Sequence, residues 1–314
     1  MRDPVPGGAS FSGRRFSLAM TLVSRSSVRR SCRCARHRRM TRVRREIRVR
    51  PWASRSAVST CVSTSSPADC HNGAVIWSEE ALRELIAATG RLLGDLDGLS
   101  DAQVAGPSLL PGWTRGHVLT HLARNAEGGT RLLGWARTGV TSYEYESLEA
   151  RAAAIEAGAD RPAATLTRDV RRTADAFAAA ATGMPAQAWQ RVVRYTAGQE
   201  PRADVIVPSR LAEVLIHHVD LDLSYRPQDW PVWFTTDMLS RTATALTESQ
   251  TMTSPVRLAG TDTGSMFAIG ADGPDSPVIS GPEYELMAWL FGRSDGHQLS
   301  RVPSGPLPEV PPIY

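Results

Sequence analysis

The segment Glu213-Val-Leu-Ile-His217-His-Val-Asp220 decides the fold. Glu213 and His217 are four residues apart, so on a helix they stand about 40° apart and one turn along, and both side chains can reach one metal ion. The three residues between them are apolar, which puts this helix in a core. A carboxylate placed there needs a partner, because an unpaired buried charge is costly. Taken alone, the segment fits a helix-surface hydrogen bond between Glu213 and His217 equally well. His218 is about 140° from Glu213 around the helix and reads as a packing or supporting histidine. Asp220, about 60° from His217 and one turn on, can orient a ligand or end the helix in water, and we read it as ending the helix.

A metal bound there needs donors from elsewhere in the chain. Of the five histidines after His71, four lie in two predicted helices: His217 and His218 here, His117 and His121 in the other. That other helix starts at Thr114, a natural N-cap, and runs through Val118, Leu119, Leu122, Leu132 and Leu133 to Gly139. His117 and His121 are again four apart. His121 has Val118 and Leu122 as neighbours and lies deeper, whereas His117 sits in the first turn beside Arg115, so His121 is the preferred ligand. Arg124 and Asn125 lie near its face and could line a pocket. Two His and one Glu leave a zinc ion a fourth, open position, as in catalytic sites. A zinc ion there lowers the pKa of a coordinated water or thiol.

The rest of the chain supplies a bundle. A first helix is capped by Ser78 and carries Leu82, Leu85, Ile86, Leu92, Leu93 and Leu96; a short one spans 146–157 and a longer one 163–181. Residues 189–207 read as partly extended and closed by Pro208, after which Ser209 caps the Glu213 helix. The expected fold is mainly α: a four-helix bundle over 76–229, then a small α+β domain over 230–296 that begins at Trp230-Pro231. That domain holds a helix near 235–249, strands near 256–259, 265–269 and 277–279, and a last helix from Pro282 to Phe291 ending at Gly292. The Pro-rich tail, 297–314, reads as loose.

Charge and cysteine divide the chain in the same place. Residues 1–60 hold sixteen Arg against Asp3 and Glu46, a balance of +14, while the remaining 254 residues carry 20 Arg against 30 acids, a balance of −10. The net charge of +4 thus belongs to the leader, and the acidic body does not suit a nucleic-acid partner. We read 1–75 as an Arg-rich disordered leader produced by a start codon placed too far upstream, rather than as a basic arm or transit peptide. Cys32-Arg-Cys34 then has no standing as a metal motif. All four cysteines (Cys32, Cys34, Cys61, Cys70) lie in this leader, which fits a cytoplasmic body. Any thiol chemistry must borrow its thiol from a small molecule. No apolar run approaches the roughly 18 residues of a membrane span.

Leu110-Pro-Gly-Trp113-Thr-Arg-Gly-His-Val-Leu-Thr-His121-Leu-Ala and Arg210-Leu-Ala-Glu213-Val-Leu-Ile-His217-His-Val-Asp220-Leu resemble the two signature segments of the mycothiol-dependent maleylpyruvate isomerase family. The resemblance spans about 76–296 and implies a DinB-like four-helix bundle with a small C-terminal domain. It implies zinc, or another divalent metal, on His121, Glu213 and His217. Arg151, in Arg151-Ala-Ala-Ala-Ile-Glu156, and Arg293, in Trp289-Leu-Phe-Gly-Arg293, are implied in activity as forks for substrate or thiol carboxylates. Arg293 also follows Gly292 at a helix end, where a cation is favourable in any case.

The implied reaction has zinc stabilise the thiolate of mycothiol, the thiol cosubstrate. Thiolate addition to the cis double bond of maleylpyruvate, rotation and elimination then give fumarylpyruvate. Two other readings stay open: a mycothiol S-transferase that detoxifies electrophiles, and a non-catalytic metal-binding protein. The partners expected are a small-molecule substrate and a low-molecular-weight thiol, and a monomer is the default for a bundle covered by a second domain.

Overall fold

The computed structural model describes residues 67–311, apart from Thr253 and Asp272, with side chains from Glu79 onward. The leader as far as residue 66, with its Cys32-Arg-Cys34 motif, lies outside the described residues. Helix α1 (Pro67–Leu96) starts earlier than the sequence suggests and runs through Ser78, the expected N-cap. Proline suits a first helical turn, whose N–H groups are unpaired anyway, and a single serine costs a continuing helix little.

After the short α2 (Asp101–Ala105) comes α3 (Arg115–Thr138). Thr114 caps α3 as expected, and the left-handed Gly139 (φ 80°) ends it. Helix α4 (Leu148–Ala159) and α5 (Ala163–Thr182) follow. A small hairpin, bridged at Val192 and Arg202, then leads to α6 (Ile206–Asp220). Here the sequence reading is corrected. Pro208 lies within the first turn of α6, where its missing N–H is no loss, so Ser209 is a buried helical residue and not the cap.

Helices α1, α3, α5 and α6 form the bundle: α3 packs on α5 and α6, and α1 packs on α6 and α5. Leu92, Leu119, Leu122, Leu132, Leu166 and Leu215 are fully buried between them. Each such side chain contributes roughly 1.5–3 kcal/mol of transfer free energy. Two glycines let the helices close up. A Cβ at Gly116 would collide with the backbone carbonyl of Ala159 on α4, and one at Gly129 with the ring of Phe177 on α5.

After Trp230-Pro231 comes α7 (Val232–Ser249), with Pro231 at its N-cap. Strands β1 (Val256–Gly260), β2 (Met266–Ile269), β3 (Val278–Gly281) and β4 (Ser300–Val302) form one sheet in the order β2-β1-β3-β4. The β1–β3 pair is parallel and the two outer pairs are antiparallel. β4 lies in the tail expected to be loose. Its three residues complete the outer edge of β3, whose backbone groups need partners, and they are too few to show a periodicity. Helix α8 (Glu283–Leu290) packs on α7 and carries the chain to Arg293 through Gly292 (φ 72°). The apolar core continues from bundle to sheet, and the Trp230 indole donates a 2.9 Å hydrogen bond to the Leu215 carbonyl of α6. Among the described residues no helix is long and apolar enough to cross a membrane.

Candidate metal centre

Packing of α3 against α6 brings His121, Glu213 and His217 together, each offering a ligand atom within 4.8 Å of the others. All three are buried. His121 Nε2 lies 2.8 Å from Glu213 Oε2, and His217 Nε2 lies 3.3 Å from the same oxygen. The two imidazoles meet edge to face, with centroids 4.5 Å apart.

Arg151 on α4 donates from Nη2 to His121 Nδ1 at 2.9 Å. A guanidinium can only donate, so Nδ1 accepts and the ring proton sits on Nε2, where it is given to Glu213. Burial, helped by the charges of His217 and Arg151, pulls the His121 pKa down to about 3. Burial alone would raise the Glu213 pKa, but its hydrogen bonds from His121 and His217 hold it well below the ordinary value. The result is a neutral imidazole beside an ionised carboxylate, and a metal taken up at His121 Nε2 would displace the proton shared with Glu213.

Behind His217 stands Asp220, whose Oδ2 is 2.7 Å from His217 Nδ1. This corrects the reading of Asp220 as a residue ending the helix in water: it is fully buried. Its burial is possible because Arg293, from beyond α8, meets it twice, Nε to Oδ1 at 2.8 Å and Nη2 to Oδ2 at 2.7 Å. Burial opposes the Asp220 charge, but Arg293 and His217 together hold its pKa at about 2. Arg293, read from sequence as a fork for a small-molecule carboxylate, has that fork closed on Asp220 with only 3% of its side chain exposed. The end of α6 is fixed further by Arg115 at the start of α3, which donates to the carbonyls of Leu221 and Asp222.

The other two candidate histidines do structural work. His117 completes the capping box of α3: its Nδ1 accepts from the Thr114 backbone N–H at 3.1 Å, the place usually held by Glu or Gln. His218 stacks on Tyr225 at 4.1 Å and reaches Asp95 of α1 at 2.9 Å. Trp113 leans on both His117 and His121, with centroids 5.9 Å away in each case. The Arg151 guanidinium lies 5.7 Å from the Tyr145 ring. Tyr145 also lines a groove of about 530 Å³ between α3 and α4, together with Arg124 and Arg131. Asn125, the other pocket candidate, accepts from Arg210 at 2.8 Å and lines a small cavity with Glu144, Tyr195 and Ser209.

Sequence reasoning weighed Asp220 as an orienting carboxylate but set that role aside, and it missed Tyr145 and Glu144 as groups around Arg151. An Asp three residues beyond a candidate ligand on an apolar helix was the one available signal.

Fold and site together define a helical-bundle protein with a buried two-imidazole, one-carboxylate cluster able to hold a divalent ion. Residues 85–222, which hold most of the bundle, match the family described as the mycothiol maleylpyruvate isomerase N-terminal domain. Two solved structures are similar to the chain, a mycothiol-dependent maleylpyruvate isomerase and a His-to-Ala mutant of it. Each is 26% identical over 75% of this chain and 96% of theirs, with TM-scores of 0.70 and 0.69. A comparison with curated proteins gives no match.

Proposed function

We propose that this chain is a mycothiol-dependent isomerase of the maleylpyruvate isomerase type, acting as a cytoplasmic monomer with a divalent metal held by His121, Glu213 and His217. The observation that carries this reading is the buried convergence of these three donors, one of them already oriented by a carboxylate. The donor set suits zinc and leaves it an open position. Bound there, the ion supplies Lewis acidity that lowers the pKa of a thiol reaching it.

The chain's own residues then do three things. Glu213 supplies an ionised carboxylate, and His121 supplies Nε2 once the proton it now gives to Glu213 is released. Asp220, held by Arg293, fixes the ring plane and tautomer of His217, so Arg293 is a positioning residue. Arg151 and Tyr145 border the site from the α4 side, and the guanidinium would pair with a substrate carboxylate.

In the reaction, the thiolate sulfur adds to the carbon β to the ketone, and the alkene electron pair moves into an enolate. The former double bond, now single, rotates. Collapse of the enolate expels the thiolate and leaves the trans alkene, with no net change in atoms or oxidation state.

The test is turnover of maleylpyruvate with and without mycothiol, alongside metal analysis of wild type, His121→Ala and Glu213→Ala. We expect thiol-dependent isomerisation and loss of metal from both variants. Stoichiometric metal in both would overturn the ligand set. Consumption of mycothiol with an epoxide or chlorinated electrophile, without isomerisation, would make the protein a transferase instead.

A further inference from the structure

The groove of about 530 Å³ between α3 and α4 is walled by Arg124, Glu127 and Arg131 of α3 and by Tyr143, Tyr145 and Glu146 of the segment that joins the two helices. That segment is pinned in several places. Arg131 donates from Nε to the carbonyls of Tyr143 and Glu144 at 3.2 and 3.1 Å, and from Nη2 to the Glu144 carbonyl. The Tyr145 N–H donates to Thr196 Oγ1 at 3.1 Å, and Tyr143 meets Trp135 edge to face with centroids 6.0 Å apart. The wall is therefore set before a ligand arrives.

The groups it leaves unspent define the ligand. Arg124 and Glu127 pair with each other at 3.1 Å, and each has a second ion partner, Asp169 and Arg172 respectively. By contrast, Arg131 Nη1, the Tyr143 hydroxyl and the Glu146 carboxylate make no hydrogen bond or ion pair among the described residues, and all three residues are exposed. An anion entering the groove meets Glu146 and a cation meets Arg131, so neither is favoured. A neutral ligand rich in hydroxyls uses both, donating to the carboxylate and accepting from the guanidinium. The two tyrosine rings offer apolar faces to the C–H side of a saturated ring.

We propose that this groove holds the polyhydroxylated body of the thiol cosubstrate. Mycothiol carries its cysteinyl thiol on an amino sugar joined to inositol, so its body has the chemistry the groove selects. Tyr145 connects the groove to the metal centre: its ring lies 5.7 Å from the Arg151 guanidinium, which donates to His121. The cysteinyl arm then runs past these two side chains toward the metal ligands. The inference rests on the thiol-dependent reading of that centre and adds the surface that tells this thiol from a simpler one. Arg131, Tyr143 and Glu146 are its specificity-determining residues.

The experiment compares S-methylmycothiol with N-acetyl-S-methylcysteine, two thioethers that differ in the polyol body and cannot place a thiolate on a metal. Calorimetric titration of the full chain, with and without chelator, should show the first binding at least about tenfold more tightly in both conditions. Two variants change the groove at exposed positions, so folding is not at stake: Tyr143→Ala removes a wall, and Ala154→Phe fills the groove from α4. Each should weaken S-methylmycothiol at least about tenfold and raise KM for mycothiol, with kcat and metal content unchanged. Equal binding of the two thioethers, or undiminished binding in either variant, would overturn the proposal. So would inositol alone binding as tightly as S-methylmycothiol, because the groove would then be a site for a free polyol. Thiol-dependent turnover with KM unchanged in both variants would leave the reaction standing and remove the groove from it. Binding of S-methylmycothiol that both variants abolish, without turnover in wild type, would keep the groove and refute the reaction.

Discussion

Replacing Arg293 with methionine removes the guanidinium and keeps most of the side-chain volume, so it isolates what this residue does for the metal centre. Two charge-assisted hydrogen bonds, of 2.8 and 2.7 Å, are lost from a pair whose side chains are 3% and 0% exposed. Each such bond contributes roughly 1.5–3 kcal/mol. Removing one partner of a buried ion pair costs about 3–5 kcal/mol, which agrees. A domain of this size loses roughly 2–4 °C in Tm per kcal/mol, so the variant should melt roughly 6–20 °C lower.

The metal centre should respond as well. With its partner gone, Asp220 no longer holds its charge or its direction, and His217 loses its orienting carboxylate. Affinity for zinc should fall by about 10–100-fold, the usual effect of losing such a supporting contact. Thermal unfolding and competitive zinc titration give the two readouts. The double variant Arg293→Met/Asp220→Asn removes both charges of this pair and should recover part of the lost stability, with a coupling of at least about 1 kcal/mol. An Arg293→Met protein that melts with wild type and holds zinc as tightly would refute this account.

Two further predictions concern the shell around the centre. Burial raises the Glu144 pKa from 4.5 to about 7. The folded state therefore binds more protons than the unfolded one between these values, and the stability linked to Glu144 is present below pH 4.5 and lost as pH rises through 7. At 1.36 kcal/mol per pH unit the full effect is on the order of 3 kcal/mol. Denaturant melts at pH 5 and pH 8 should show Glu144→Gln gaining on wild type at the higher pH; parallel profiles would remove the argument. Gly116→Ala puts a methyl into the Ala159 carbonyl and should cost about 1–3 kcal/mol by pushing α4 away. Because α4 carries Arg151, the variant should also lose turnover; unchanged melting and activity would show that the helices do not touch as described.

Much of the fold was legible because its signals are local. Thr114 and Gly139 bound α3, Gly292 ends the last helix region, and the i, i+4 spacing of Glu213 and His217 placed both on one face. His121 was separable from His117 by depth, and the capping role of His117 supplies the physical reason. What stayed hidden depends on partners far along the chain. Asp220 looked like a helix terminus because the cation that makes its burial tolerable lies 73 residues later. Arg293 looked free to bind a ligand for the same reason. Ser209 failed as a cap because the core tolerates Pro208 inside the first turn, and β4 failed as a strand because the open edge of β3, rather than its own sequence, makes it one.

The contact between Arg293 and Asp220 also works in reverse. If docking the C-terminal unit strengthens the grip of His217 on an ion, thermodynamic linkage requires the ion to strengthen that docking by the same free energy. The metal would then act as a fastener between bundle and sheet although it touches only the bundle. Chelation should therefore show first in the segment from Trp230 to Val302, as faster amide exchange, before the bundle itself begins to open.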